Sequence, residues 1–203
     1  MLFVDAGRVP ADAGWLWALA ASILNDFANQ SDTAPSRPDR LTDSAKQSQG
    51  PPKVLIVEAA GSESGIASAL GLSGVSGLSE VLNGSVPLRA AIQETYHPQI
   101  CFLARGSDRL RTEHATALES TWASVSKEFQ LLLVAGGPLG QGSNENSPRM
   151  STTADLFVPL ANGAVLCVEL DGTPIDCCRS SKADLEANGA NLLGCVVRGE
   201  IAA

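Results

Sequence analysis

Aromatic side chains are scarce, at 4% of the chain, which argues against a surface that stacks sugars or unpaired bases. Basic residues are also few, 14 against 22 acidic ones, for a net charge of −8. Such a surface repels phosphate backbones and anionic lipid, which excludes nucleic acid as a partner and direct insertion or polybasic contact at a membrane. Long apolar runs are missing: the longest, Ala13 to Leu24, falls short of the about 20 residues a bilayer span needs. The segment before it sets Asp5 and Asp12 against Arg8, whereas a secretory leader carries net positive charge there, so no leader is expected. No His or Cys cluster has metal-ligand spacing, and the adjacent Cys177-Cys178 is not a redox CxxC pair. The five cysteines, with Cys101, Cys167 and Cys195 completing the set, are odd in number and mostly inside apolar runs. They read as reduced core thiols of a cytoplasmic chain.

What is present is the composition of a globular protein: 44% hydrophobic and 18% charged residues over 203 positions, expected to form one domain over 1–203. Six short apolar runs recur, at 2–4, 53–57, 100–104, 131–135, 164–170 and 192–197. Most lack polar alternation, the habit of parallel strands covered on both faces. Helical segments lie between them. Ala13 to Phe27 is the first, apolar nearly all round and so expected to be covered on more than one side. Thr112 to Phe129 puts Leu118, Trp122, Val125 and Phe129 on one stripe. Thr173 to Asn188 opens with Thr173 as N-cap, Pro174 at the first helical position and Asp176 completing a capping box, and stops at Asn188-Gly189. Strands alternating with helices predict a three-layer α/β fold, a mostly parallel central sheet flanked by helices. Two stretches rich in polar residues, 30–52 and 140–151, read as loops, the first of them flexible.

In an open parallel sheet, ligands sit at the carboxyl ends of the strands. The first run leads into DAGRVPADAGWLWALA, a strand, a loop with Gly7, Pro10 and Gly14, then a helix. This is the setting of a phosphate-binding P-loop, whose Gly-Lys-Ser/Thr ending supplies an ammonium for the β/γ-phosphates and a hydroxyl for Mg²⁺. Here Gly14 is followed by Trp15, Leu16 and Trp17, and the four lysines, Lys46, Lys53, Lys127 and Lys182, all lie elsewhere. The setting is present without its chemistry. Trp15 and Trp17 read as helix residues packed on the sheet, with a docking patch or a plug for the nucleotide space as the alternatives. GSESG (61–65) places Glu63 where a nucleophile elbow needs serine. AGGPLGQG (135–142) leads into SNENSP and not into a helix, so it is no dinucleotide fingerprint. His97 and His114 have no nucleophile to serve. Glu58, a carboxylate ending a buried strand at the ligand edge, is the one residue of this group that stays open as functional.

Two blocks carry a family resemblance: LGLSGVSGLSEVLNGSVPLRAAI (70–92) and ANGAVLCVELDGTPIDCCRSSKADLEANGANLLGCVV (161–197). In this order, with the same intervening strands, they resemble the P-loop ATPase domain of bacterial tyrosine kinases (BY-kinases) of the capsular and exopolysaccharide, Wzc/CapB/CpsD-like family. That family is part of the MinD/ParA superfamily. The resemblance implies a P-loop NTPase fold, but the motifs are degenerate. The family's loop lysine falls on Trp15, or on Gly14 if the loop has no extra residue, and the following hydroxyl on Leu16 or Trp15. Of the two aspartates of the second motif, the first is Glu58 and the second Ala60. The metal-linked aspartate of the Walker B strand is Ala135. Tyr96 is the only tyrosine, so the tyrosine-rich tail of such kinases is missing.

The resemblance therefore implies a vestigial nucleotide loop of Gly7, Arg8, Gly14, Trp15 and Leu16, and vestigial carboxylate positions Glu58, Ala60 and Ala135. It implies no catalytic residue, no bound metal and no cofactor. The expected role is a cytoplasmic pseudo-ATPase scaffold in exopolysaccharide or capsule assembly, docked on an inner-membrane chain-length or export protein, with homo-oligomerisation open. The alternative is an active ATPase or tyrosine kinase of the same family that binds ATP and Mg²⁺ through an unconventional loop, Arg8 and Glu58 standing in. A ParA-like positioning role is more distant, since nothing basic or amphipathic at the termini supports membrane or DNA contact.

Overall fold

The described residues form one seven-stranded sheet. The computed structural model describes residues 1–6, 14–32, 52–60, 66–72, 76–139, 152–170 and 172–199. Its strands are β1 (Leu2–Asp5), β2 (Val54–Glu58), β3 (Ile92–Glu94), β4 (Ile100–Leu103), β5 (Leu131–Pro138), β6 (Ala164–Glu169) and β7 (Leu192–Arg198), and its helices are α1 (Gly14–Asp32), α2 (Ile66–Ala69), α3 (Leu78–Leu82), α4 (Leu88–Ala91), α5 (Ala115–Val125), α6 (Thr153–Phe157) and α7 (Ile175–Ala187). The strand order is β3-β4-β2-β5-β1-β6-β7, with every pair parallel except β3–β4. The three-layer α/β expectation holds, with one strand more than the six apolar runs. β3 is three half-polar residues, too short and too mixed to stand out as a run.

Alternation along the buried strands sends side chains to two cores, one on each face of the sheet. Leu2, Val4, Leu55, Val57, Leu103 and Val134 join Leu78, Leu118, Phe157 and Leu185 on one side. Phe3, Ile56, Phe102, Leu133 and Cys167 meet Leu16, Ala20 and Leu24 of α1 on the other. The stripe of α5 works as spaced: Leu118, Val125 and Phe129 are buried, and Trp122 stands edge-on to Phe157 at 5.5 Å. The helix itself is shorter than 112–129, since residues 112–114 form a 3₁₀ turn and Val125 is its last residue.

Other expectations are corrected. α1 runs to Asp32, so the segment expected as a loop from residue 30 begins as helix; residues 33–51 and 140–151 lie outside the described residues. α1 is covered on one side only: Leu16, Ala20 and Leu24 are buried, whereas Ala18 and Ser22 are exposed. The N-cap of α7 is Pro174, and the hydroxyl of Thr173 instead accepts the N–H of Glu169 at 3.0 Å. Gly189, at φ +79, does end that helix in the left-handed region. β7 is an edge strand whose Leu193 and Val197 are exposed, not a strand covered on both faces. Of the five cysteines, none of them in a disulfide, only Cys167 is buried and Cys195 is exposed.

Candidate functional site

The carboxyl ends of β1, β2 and β5 meet at one point of the sheet, with β2 and β1 flanking β5. Gly7 and Arg8 lie outside the described residues. Gly14 opens α1. Trp15 sets its indole edge-on against Phe3 of β1, with ring centroids 4.8 Å apart and an interplanar angle of 79°. Its Nε1 is buried and finds no hydrogen-bond acceptor among the described residues. Leu16 is 1% exposed and belongs to the core beneath α1. Trp17 stacks at 4.4 Å on Tyr96, in the turn between β3 and β4. The two tryptophans thus pack α1 against the sheet and its hairpin.

Glu58, the last residue of β2, is buried and turned towards α2. Its Oε1 accepts the N–H of Ile66 at 2.7 Å and its Oε2 that of Ala67 at 3.3 Å. The carboxylate therefore satisfies two of the backbone donors that the start of a helix leaves without partners. Desolvation pushes its pKa above the ordinary value, against the opposing pull of the Ala67 and Ile66 N–H groups and the positive charge of Arg105. Arg105 follows β4, a residue that the reading of motifs did not single out; the parallel pairing of β4 with β2, Leu103 opposite Val57, brings it near.

Ala60 and Ala135 close the junction of β2 with β5. The carbonyl of Ala135 accepts both the Ala59 and the Ala60 N–H, at 3.0 and 3.1 Å. The Ala135 side chain packs on the α1 side of the sheet. The AGGP stretch is the end of β5, and its register against β1 shifts between Phe3 and Val4. Gly137 sits at φ +72, where a β-carbon would lie 2.4 Å from the Ala60 Cβ.

Two further carboxylates mark this edge. Asp5, 6% exposed at the end of β1, faces Arg198 of β7 at 3.8 Å. Cys167 stands between them on β6, paired with Asp5. Burial and then the Asp5 charge push its thiol up to about 12, against the pull of Arg198, so it is no nucleophile. Glu80 organises the loop after β4. Its Oε2 accepts the Gly77 N–H at 2.7 Å, and its Oε1 accepts the Ser107 N–H and hydroxyl at 2.9 and 2.6 Å. Among the described residues, no group of three or more His, Cys, Asp or Glu side chains converges closely enough to hold a metal ion. Neither Ala60 nor Ala135 offers a metal ligand in its side chain, and both oxygens of Glu58 face α2.

No helix among the described residues is long and apolar enough to cross a membrane. No protein-family model matches the chain, and no curated protein matches it significantly. Solved structures do. The BceF tyrosine kinase domain superposes with a TM-score of 0.64 at 16% identity over 98% of this chain and 68% of its own. The kinase domain of the Escherichia coli tyrosine kinase ETK gives 0.63 at 18% identity, covering 100% of this chain and 69% of that one. The MinD cell division protein of Aquifex aeolicus gives 0.59 at 17% identity over 98% and 69%. The chain therefore has the three-layer P-loop-type fold that bacterial tyrosine kinase domains share with MinD.

Proposed function

We propose that this chain is a catalytically degenerate, BY-kinase-like domain, a pseudo-ATPase that acts by binding and not by turnover. It serves as a cytoplasmic scaffold or regulatory subunit in exopolysaccharide or capsule assembly, docked on an inner-membrane chain-length or export protein. The observation that carries the reading is the use to which the nucleotide positions are put. Glu58 caps α2 through both oxygens, and Trp15 stands edge-on to Phe3 where the loop cation is expected.

Phosphoryl transfer depends almost wholly on positioning and charge stabilisation. The loss of a single preorganised donor from a reacting centre costs about 2.7–4 kcal/mol, or 10²–10³ in rate. Here the ammonium, the metal-binding hydroxyl and two expected aspartates are replaced by apolar side chains together. Such losses do not add linearly, yet no described neighbour substitutes for them.

Isothermal titration of the full chain with ATP and Mg²⁺ tests the reading, and no binding heat is expected. A saturable micromolar heat, with labelled ATP consumed by the native chain and not by Glu58→Gln, would overturn it in favour of an active enzyme.

A further inference from the structure

The two edges of the sheet differ. β3 is three residues long and ends in Glu94, the short, charged kind of edge that resists pairing. β7 is seven residues long, and from Leu192 to Val197 it carries no charge and no proline. Cys195 and Val197 stand opposite Leu166 and Val168 of β6, yet α7 leaves them uncovered: Val197 is 61% exposed and Cys195 is exposed as well. The Leu170 N–H bonds to the carbonyl of Arg198, which fixes Arg198, Val196 and Gly194 as the residues whose backbone groups face β6. By alternation, those of Cys195 and Val197 face outward.

We propose that β7 is a self-pairing edge. Two copies of the chain join antiparallel about a two-fold axis at Val196, so that Cys195 of each copy exchanges backbone hydrogen bonds with Val197 of the other. An axis there satisfies the outward groups of both residues and sets their exposed apolar side chains opposite one another, the self-complementarity that a two-fold interface requires.

The charges agree with this partner. Arg198, the one charged residue of β7, turns to Asp5 at 3.8 Å. On the flanking α7, Asp176 pairs with Arg179 and Lys182 with Glu186. A chain of net charge −8 repels its own copies at a distance, so contact falls where charge is absent or compensated, and salt tightens it. A strand of this length spans about 23 Å. Such a contact buries less than the roughly 800 Å² per partner of a standard interface, so the dimer is weak and concentration-dependent.

Light scattering across a dilution series of the full chain reads the association. The expected result is a dimer at high concentration, favoured by added salt, whose dissociation constant rises at least tenfold in Val197→Lys while circular dichroism stays unchanged. Bismaleimidoethane, which adds one thiol to each of its two rings, should link wild-type dimers and fail to link Cys195→Ser, although Cys177 and Cys178 remain. A monomer at every concentration overturns the proposal, and so does a dimer that survives Val197→Lys. Protection of Cys195 from maleimide in a monomer also overturns it, because the chain's own segments then cover the edge.

Discussion

Gly137 and Ala60 hold the ends of β5 and β2 so close that position 137 has no room for a side chain: a β-carbon there would stand 2.4 Å from the Ala60 Cβ. The contact forms where the fold conventionally leaves space for a ligand. It shares that junction with the Ala135 carbonyl, which accepts two N–H groups from the chain leaving β2.

Gly137→Ala combines a left-handed backbone with this overlap, and the expected destabilisation is about 2–4 kcal/mol. Gly84, at φ +73 with nothing within 4 Å of where a β-carbon would stand, isolates the backbone part, and Gly84→Ala should cost only about 1 kcal/mol. Urea unfolding of the two variants measures the difference. Equal losses would mean that the Ala60 contact is absent in solution.

Glu80 predicts an acid-sensitive loop. Desolvation acts to raise its pKa, but the Ser107 hydroxyl and N–H and the Gly77 N–H outweigh it and bring the group from 4.5 to about 2. A folded-state pKa below the ordinary one stabilises fully above pH 4.5, and this contribution is lost as the pH falls towards 2. Glu80→Gln should therefore cost about 1 kcal/mol at neutral pH, a value reduced by solvent screening at this partly exposed site. The variant and the native chain should converge near the acid end of the series. Urea midpoints that run parallel over the whole pH range would contradict this.

Two variants of Trp15 separate packing from polarity. Trp15→Ala removes the ring that meets Phe3, and a half-buried site places the loss near the lower end of the range for such truncations, about 3 kcal/mol. Trp15→Phe keeps an edge for Phe3 and deletes a buried N–H that has no acceptor among the described residues, so its cost should stay within about 1 kcal/mol. Chemical denaturation gives both numbers. A Trp15→Ala variant as stable as the native chain would detach that ring from the sheet.

Elements whose determinants are local were legible in the sequence. The buried strands announced themselves as apolar runs, and the α5 stripe of Leu118, Val125 and Phe129 followed from spacing alone. Gly189 marked the end of α7 because a left-handed residue is needed there. Where the determinant is a contact made only once the chain has folded back on itself, reading failed. β3 exists because Ile92–Glu94 can pair antiparallel with β4, which no three-residue pattern reveals. Thr173 looks like a helix cap until Glu169 claims its hydroxyl. At the site, the identity of Glu58 was readable and its employment was not, because Ile66 and Ala67 reach it only after the chain has turned back. The exposure of β7 was hidden for the same reason, since an edge strand and a central one are spelled with the same apolar letters.

The stacking of Tyr96 on Trp17 has an optical consequence. The chain's single tyrosine lies close enough to an indole to pass its excitation on, so emission near the tyrosine wavelength is silent while α1 rests on the β3–β4 hairpin. Full undocking of that helix from the hairpin would restore the emission of a native reporter, and the seating of α1 can be followed in solution without a dye.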